Sequence, residues 1–310
     1  MKLSHKLSLA LLAIIVLLIA VQIYISKDVV KDLISLERNP TRENLQDRET
    51  FKQLDLSSFN TIEINTQHVN IKKGDKYEVF YNPLLHLEPQ VEGNKLIIKG
   101  KEHQASRNNI YVFVPELQLL EINDSKYSTI TMSGFQGQKT TIKINNSDPE
   151  SFSYTDLDTD LSDIDLSVSN AKITLKTLME TDKINASLSD AYLYIRHIHN
   201  PIQEINLQLD RGGFEILLQE PDLIRNIHIN GNLGYRELFK SMYQGEEKYI
   251  RRSAIYGKTL VCDTLQIDVT GDDNQYSGCH LELPEEIRAQ SFSIKKTDNV
   301  SLSGGNNITE

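Results

Sequence analysis

The sequence predicts an all-β protein built as a single-stranded, right-handed parallel β-helix behind one N-terminal membrane-spanning helix. Three observations predict it: short alternating strands from Phe51 onward, a phased repeat near 20 residues, and an uncharged apolar run at the N-terminus. The alternative that the strand pattern leaves open is a β-sandwich.

The apolar run comes first in the chain. Residues 7–25, "LSLALLAIIVLLIAVQIYI", carry no charge and are broken only by Ser8 and Gln22. At about 1.5 Å per helical residue this is long enough to cross a hydrocarbon core of about 30 Å. A cleaved signal peptide has a shorter apolar region followed by a small-x-small site, and "QIYISKDVV" offers none. An uncleaved anchor is therefore expected over residues 1–26, with membrane lipid as the partner of 7–25. Basic residues flank the run almost evenly, Lys2 and Lys6 before it and Lys27, Lys31 and Arg38 after it. The large C-terminal domain is expected outside the cytoplasm, in the periplasm or at the cell surface. Residues 27–50 are polar with apolar positions Val30, Leu33, Ile34 and Leu36, a short helix or stalk ending near Asn39-Pro40 and then a charged linker.

From Phe51 the period changes to two: "NTIEINT", "YEVFYN", "KLIIKG", "IYVFVP" and "TIKIN", each bounded by Gly, Pro, Asn or Asp. The repeat then decides the architecture expected of 51–310. Ile164, Ile184, Ile205 and Ile227 stand 20, 21 and 22 residues apart. Seven residues after each comes a small one (Ala171, Ala191, Gly212, Gly234), and eleven after each an apolar one (Leu175, Ile195, Ile216, Leu238). Polar pairs that suit tight turns precede the small residue: Ser169-Asn170, Ser189-Asp190 and Asp210-Arg211. Strand, corner and strand at this period fit one coil of a solenoid, whose inner residues are buried only when coils stack. A sandwich has no such phase memory between strand pairs. Residues 239–259, charged and carrying Tyr243, Tyr249 and Tyr256, break phase and read as an insertion.

The first part of the domain also carries a family likeness. "FNTIEINTQHVNIKKGDKYEVFYN" (59–82), "VEGNKLIIKGK" (91–101) and "IYVFVPELQLLEINDSKYSTITMSGF" (110–135) resemble the bacterial head GIN domain (putative auto-transporter adhesin) family. The shared features are Phe-x-x-Ile-x-Ile, the Lys73-Gly74-Asp75 turn, Gly-x-x-Leu-x-Ile and Val-Pro-x-Leu. The resemblance implies a right-handed β-helix in a bacterial envelope. This chain has Asp124-Ser125 where such domains often have a Gly-Ser-Gly corner.

The formal net charge of −10 argues against general affinity for nucleic acid or anionic membrane surfaces, and no basic, aromatic-interleaved run appears. "DLDTDLSDID" places Asp156, Asp158 and Asp160 on one face of a strand, with Asp163 and Asp165 beside them. Such acids bring to mind calcium-dependent polysaccharide lyases, yet calcium wants six to eight oxygens from several loops, so solvated outer-face acids are expected. "RHIHN" places His197 and His199 on one strand face as two possible metal ligands, but no Cys or acid at fixed spacing completes a set, so a solvent-facing pair is expected. No nucleophile elbow, phosphate loop or His-Glu-x-x-His is present. No catalytic residue, metal or cofactor is expected. Cys262 and Cys279 are read either as a disulfide or as two buried thiols. Tyr192, Tyr194 and Tyr235 are read as an aromatic strip for ligands or as a stacking ladder. The function expected is a non-catalytic binding, adhesion-like or structural module whose partners are envelope protein or polysaccharide, with no nucleic acid. The alternatives are a polysaccharide-acting lyase or hydrolase and a regulatory partner of other membrane proteins.

Overall fold

The computed structural model describes residues 40–48, 50–66, 68–83, 87, 89–100, 110–124, 128–147, 153–234, 237–240, 247–250, 252–271, 279–305 and 307–309. Residues 7–25, on which the membrane anchor was expected, lie outside them. Among the described residues no helix is long and apolar enough to cross a membrane. The chain divides into two compact units, Met1–Lys52 and Gln53–Glu310.

In the first unit the described element is α1 (Arg42–Gln46), which follows Pro40. A helix was expected to end near Pro40, with a linker after it. Thr41 is the reason one starts there: its Oγ1 accepts from Asn44 N at 3.3 Å, while its own N–H donates to Asn44 Oδ1 at 3.2 Å. Both backbone donors are thus satisfied reciprocally at the helix start. β1 (Lys52–Asp55) follows.

The second unit is almost entirely β, one large mixed sheet in which parallel pairs predominate. Its backbone runs in two ladders. The first takes, in spatial order, β6 (Lys95–Lys99), β2 (Thr61–Asn65), β8 (Leu119–Asn123), β10 (Thr140–Asn145), β12 (Asp163–Ser169) and β14 (Lys183–Ser189). It continues through β16 (Ile202–Leu217), β17 (Ile224–Leu233), β21 (Thr259–Gly271), β23 (Glu286–Lys296) and β25 (Asn307–Thr309). The second takes β7 (Ile110–Val114), β3 (Val69–Lys73), β9 (Thr129–Gln136), β11 (Tyr154–Asp160), β13 (Lys172–Leu175) and β15 (Tyr192–Ile195). Then come the second half of β16, β20 (Arg252–Tyr256), β22 (Cys279–Glu282) and β24 (Val300–Ser303). All these neighbours pair in parallel, unlike the antiparallel sheets of an immunoglobulin-type sandwich.

The repeat has a direct physical counterpart. Ile164 pairs with Ile184, Ile184 with Ile205, and Ile205 with Ile227. These four are buried, and on β12 and β14 every second residue is buried while those between face outward. One repeat thus adds one inward rung per column, because register partners of like character superpose. The corners also follow the sequence. Asn170, Asp190 and Arg211 all have positive φ (52°, 47° and 54°), the left-handed conformation that Asn and Asp tolerate best. Gly212 sits just after the third corner, where a Cβ would meet Leu188 O at 3.1 Å and Leu209 Cδ2 at 3.0 Å.

Two departures are informative. The rung above Ile216 is Ile255, whereas Leu238 was aligned there. Leu238 lies instead in an antiparallel hairpin of β18 (Glu237–Lys240) and β19 (Glu247–Ile250), opposite Tyr249. The extra segment therefore enters between the first and second strand of a repeat, directly after Gly234, and the ladder resumes within β20. Second, spatial order departs from chain order at the start. β2 lies between β6 and β8, and β3 between β7 and β9, so the strands at 95–114 sit outermost. Antiparallel strands cover that end: β5 (Gln90–Glu92) on β6 and β4 (Glu78–Tyr81) on β7. All residues of β4 and β7 are buried, and Phe80 meets Phe113 edge-on at 5.7 Å. An end strand left bare would expose both its pairing groups and its inward side chains.

Candidate functional site: an outward trough

The residue after each inward isoleucine faces outward, and these residues form a column across neighbouring strands: Asp165, Asn185, Asn206 and His228. Two positions further on runs a second column of Ser167, Ser187, Gln208 and Asn230. The first column is half-buried and the second exposed. Between them the side chains are short enough to leave a shallow trough of about 450 Å³, floored by the strand stretches at Leu166, Ala186 and Leu207. At about 4.8 Å per strand, the step from Asp165 to His228 covers about 14 Å.

The first column is ordered by its own hydrogen bonds. Asn206 Nδ2 donates to Asn185 Oδ1 at 2.9 Å, and Asn185 Nδ2 donates to Asp165 Oδ1 at 2.7 Å. The chain of amides ends on a carboxylate, which orients every member in one direction. The Asn185 bond and the Lys139 ammonium at 2.9 Å hold the Asp165 carboxyl below its ordinary range. Beside it, Lys183 pairs with Glu204 at 2.5 Å and lowers that carboxyl, with a further contribution from Asn206. Both lysines are spent on these carboxylates, and neither lines the trough.

The acids singled out in the sequence are divided between two strands. Asp156, Asp158 and Asp160 belong to β11, and Asp163 and Asp165 to β12. Asp156 pairs with Lys176 at 2.7 Å, and Asp158 accepts from Thr177 Oγ1 at 2.6 Å. Asp160 departs from the expected shared face. The pairing of β11 with β9 slips between Asp158 and Asp160, and this irregularity turns Asp160 inward, 6% exposed. There its Oδ1 accepts from the backbone N–H groups of Met179 (2.8 Å) and Glu180 (2.5 Å), closing the corner of the next repeat. Among the described residues no group of three or more His, Cys, Asp or Glu side chains converges as for a metal.

His197 and His199 lie past the end of β15 and not on a strand face; both are exposed, and His197 has φ 53°. His197 Nδ1 shares a hydrogen bond with Gln219 Nε2 at 3.1 Å. Tyr192 is buried, its hydroxyl donating to Phe214 O at 3.2 Å. Its ring lies 4.7 Å from that of Tyr194, over which the Arg196 guanidinium stands at 5.1 Å. Tyr235 lies outside the described residues. Cys262 and Cys279 are free buried thiols, without the disulfide that one reading expected. Burial pushes the Cys262 thiol up to about 11, and Cys279 Sγ donates to Leu233 O at 2.7 Å.

Of the described sequence candidates, only Asp165 enters the trough. The amide column and His228 were not singled out, although aligning Ile-Asp, Ile-Asn, Ile-Asn and Ile-His across the four repeats displays them.

No protein-family model matches the chain, and no curated protein matches its sequence. Among solved structures, a "putative lipid binding protein" from Parabacteroides distasonis is similar at TM-score 0.51 and 15% identity, over 84% of this chain and 96% of that one. A "putative adhesin" from the same species (TM-score 0.44, 15% identity, 84% and 95%) and another from Parabacteroides merdae (TM-score 0.44, 12%, 84% and 95%) also align. The first likeness concerns the fold alone.

Proposed function

We propose that the chain is a right-handed parallel β-solenoid of the head GIN kind, anchored in the membrane by residues 7–25 and facing out of the cytoplasm. In that place it serves as a non-catalytic binding module of a bacterial envelope. Right-handedness follows from the general chirality of parallel crossover connections.

One observation carries the binding reading. The acids that an enzyme would need are consumed in ladder and corner bonds, while the trough presents side chains whose hydrogen-bonding capacity is unspent. A general acid–base pair needs two groups aimed at one reacting atom. Asp156 and Asp158 are aimed at Lys176 and Thr177, and Asp160 at its own corner. The similar structure described as a putative lipid binding protein accords with a surface that holds a partner.

The test uses the full-length chain in nanodiscs. Binding to isolated envelope fragments is expected, together with a melting temperature that calcium leaves unchanged. Shedding of unsaturated or reducing ends from added polysaccharide, or a calcium shift abolished by Asp158→Asn, would favour the enzyme reading instead. Accessibility of the 51–310 region to protease from the outside of spheroplasts checks orientation.

A further inference from the structure

The trough does more than offer polar atoms; its chemistry selects among ligands. Ser167, Ser187, Gln208, Asn230 and His228 line it, their backbones paired in the ladder. Among the described residues none of their side chains is engaged in a hydrogen bond, and His228 stands near the Glu204 carboxylate. Asn206 Oδ1 and the second N–H of Asn185 are also outside the amide chain. The set therefore mixes donors and acceptors at close intervals along about 14 Å of surface. Among the described residues the one carboxylate lining it is Asp165, already bonded to Asn185 and Lys139, and no Lys or Arg lines it.

These features exclude ligands by class. A phosphate, sulfate or anionic headgroup finds no cation there and faces a carboxylate in a chain of net charge −10. Most of the accessible surface of the trough is nonetheless carbon, so a ligand seated there meets apolar faces as well as donors and acceptors. A ligand that suits the site is extended along the strand stack, uncharged, and supplies both donors and acceptors at each step. The volume, about 450 Å³, is that of a small-ligand site.

Resting on the binding-module reading, we propose that the trough across β12, β14, β16 and β17 holds an extended, uncharged oligosaccharide bearing hydroxyl and acetamido groups. The Asn185–Asn206 column reads its acetamido or hydroxyl edge. Ser187, in the middle of the exposed column, marks the point of closest approach because its side chain is small. Asp165 orients the amides and does not itself need to touch the ligand.

The probe is chitotetraose, titrated calorimetrically into the full-length chain in nanodiscs. Dextran sulfate and anionic phospholipid nanodiscs serve as competitors. Saturable binding is expected, weakened about tenfold by Asn206→Ala through the loss of one to two hydrogen bonds. Ser187→Arg, which fills the trough, is expected to abolish it. Ser187 is exposed, so the melting temperature of Ser187→Arg should stay near that of the parent. Asn206→Ala, which also gives up its bond to Asn185, should melt lower but as one cooperative transition. These melts separate lost binding from lost folding. No binding of chitotetraose, binding untouched by Ser187→Arg, or displacement by dextran sulfate would overturn the proposal. If Ser187→Arg still binds envelope fragments like the parent, the oligosaccharide site fails while the binding-module reading stands. Loss of both in a folded variant supports both.

Discussion

Ile205→Ala tests most simply whether inward rungs hold the repeats together. Ile205 is fully buried in β16, with Ile184 and Ile227 as register partners on either side. The change removes three side-chain carbons, which at about 0.8 kcal/mol per buried methylene is about 2.4 kcal/mol of transfer free energy. The ladder backbones are pinned by hydrogen bonds on both sides and cannot collapse far. A cavity contribution therefore adds, and roughly 3–4 kcal/mol is expected, within the range seen for such truncations. Gln208→Ala, three residues along the same strand but exposed, should stay within about 0.5 kcal/mol. Urea unfolding of the full-length chain in mild detergent, followed by far-ultraviolet circular dichroism, measures both. The reasoning fails if Ile205→Ala costs less than about 1 kcal/mol, or if Gln208→Ala costs as much as Ile205→Ala.

Three further outcomes are expected. Gly231→Ala should destabilise by roughly 3 kcal/mol or more in the same assay, because Gly231 has φ +114° and its Cβ would stand 2.0 Å from Leu209 O. Asp165 has its carboxyl lowered on folding, so its contribution is present above the unfolded value of about 3.9 and is lost as pH falls through the folded one. Melting curves of the parent and Asp165→Asn should therefore differ at pH 6 and converge in strong acid. Cys262 and Cys279, buried and unbonded, should resist thiol reagents in the native protein, react fully after denaturation, and leave the melting temperature indifferent to reductant. Labelling stoichiometry counts them.

The ladder was legible because its cause is periodic. Isoleucines 20 to 22 residues apart coincide with rungs, and Asn170, Asp190 and Arg211 coincide with left-handed corners, since both follow from local residue chemistry. Leu238 was misaligned for the opposite reason. An inserted segment carries its own apolar residues, and in the sequence a hairpin leucine looks the same as a rung. The outermost position of the 95–114 strands was not legible, because spacing records which residues share a repeat and not the order of stacking. Asp160 was placed on the outer face by strict alternation, which a single pairing slip reverses. The trough is not legible in any single repeat, because Asn, Ser and Gln are ordinary outward strand residues and their columns appear only when four repeats are superposed.

The central claim is that residues far apart in the chain lie one strand spacing apart in a parallel stack. Lys143, Ser167, Ser187, Gln208, Asn230 and Asp268 are successive register partners on one face. Spin labels placed pairwise at these positions, with Cys262→Ala and Cys279→Ala in the background, measure the spacing by electron dipolar spectroscopy. At about 4.8 Å per strand, the backbone separation from Lys143 to Asp268 should reach about 24 Å. It should also grow by equal steps, the 38-residue step from Asn230 to Asp268 adding no more than the 20-residue step from Ser167 to Ser187. A jump at Asp268, or separations that do not grow steadily along the series, would contradict the stack and with it the trough.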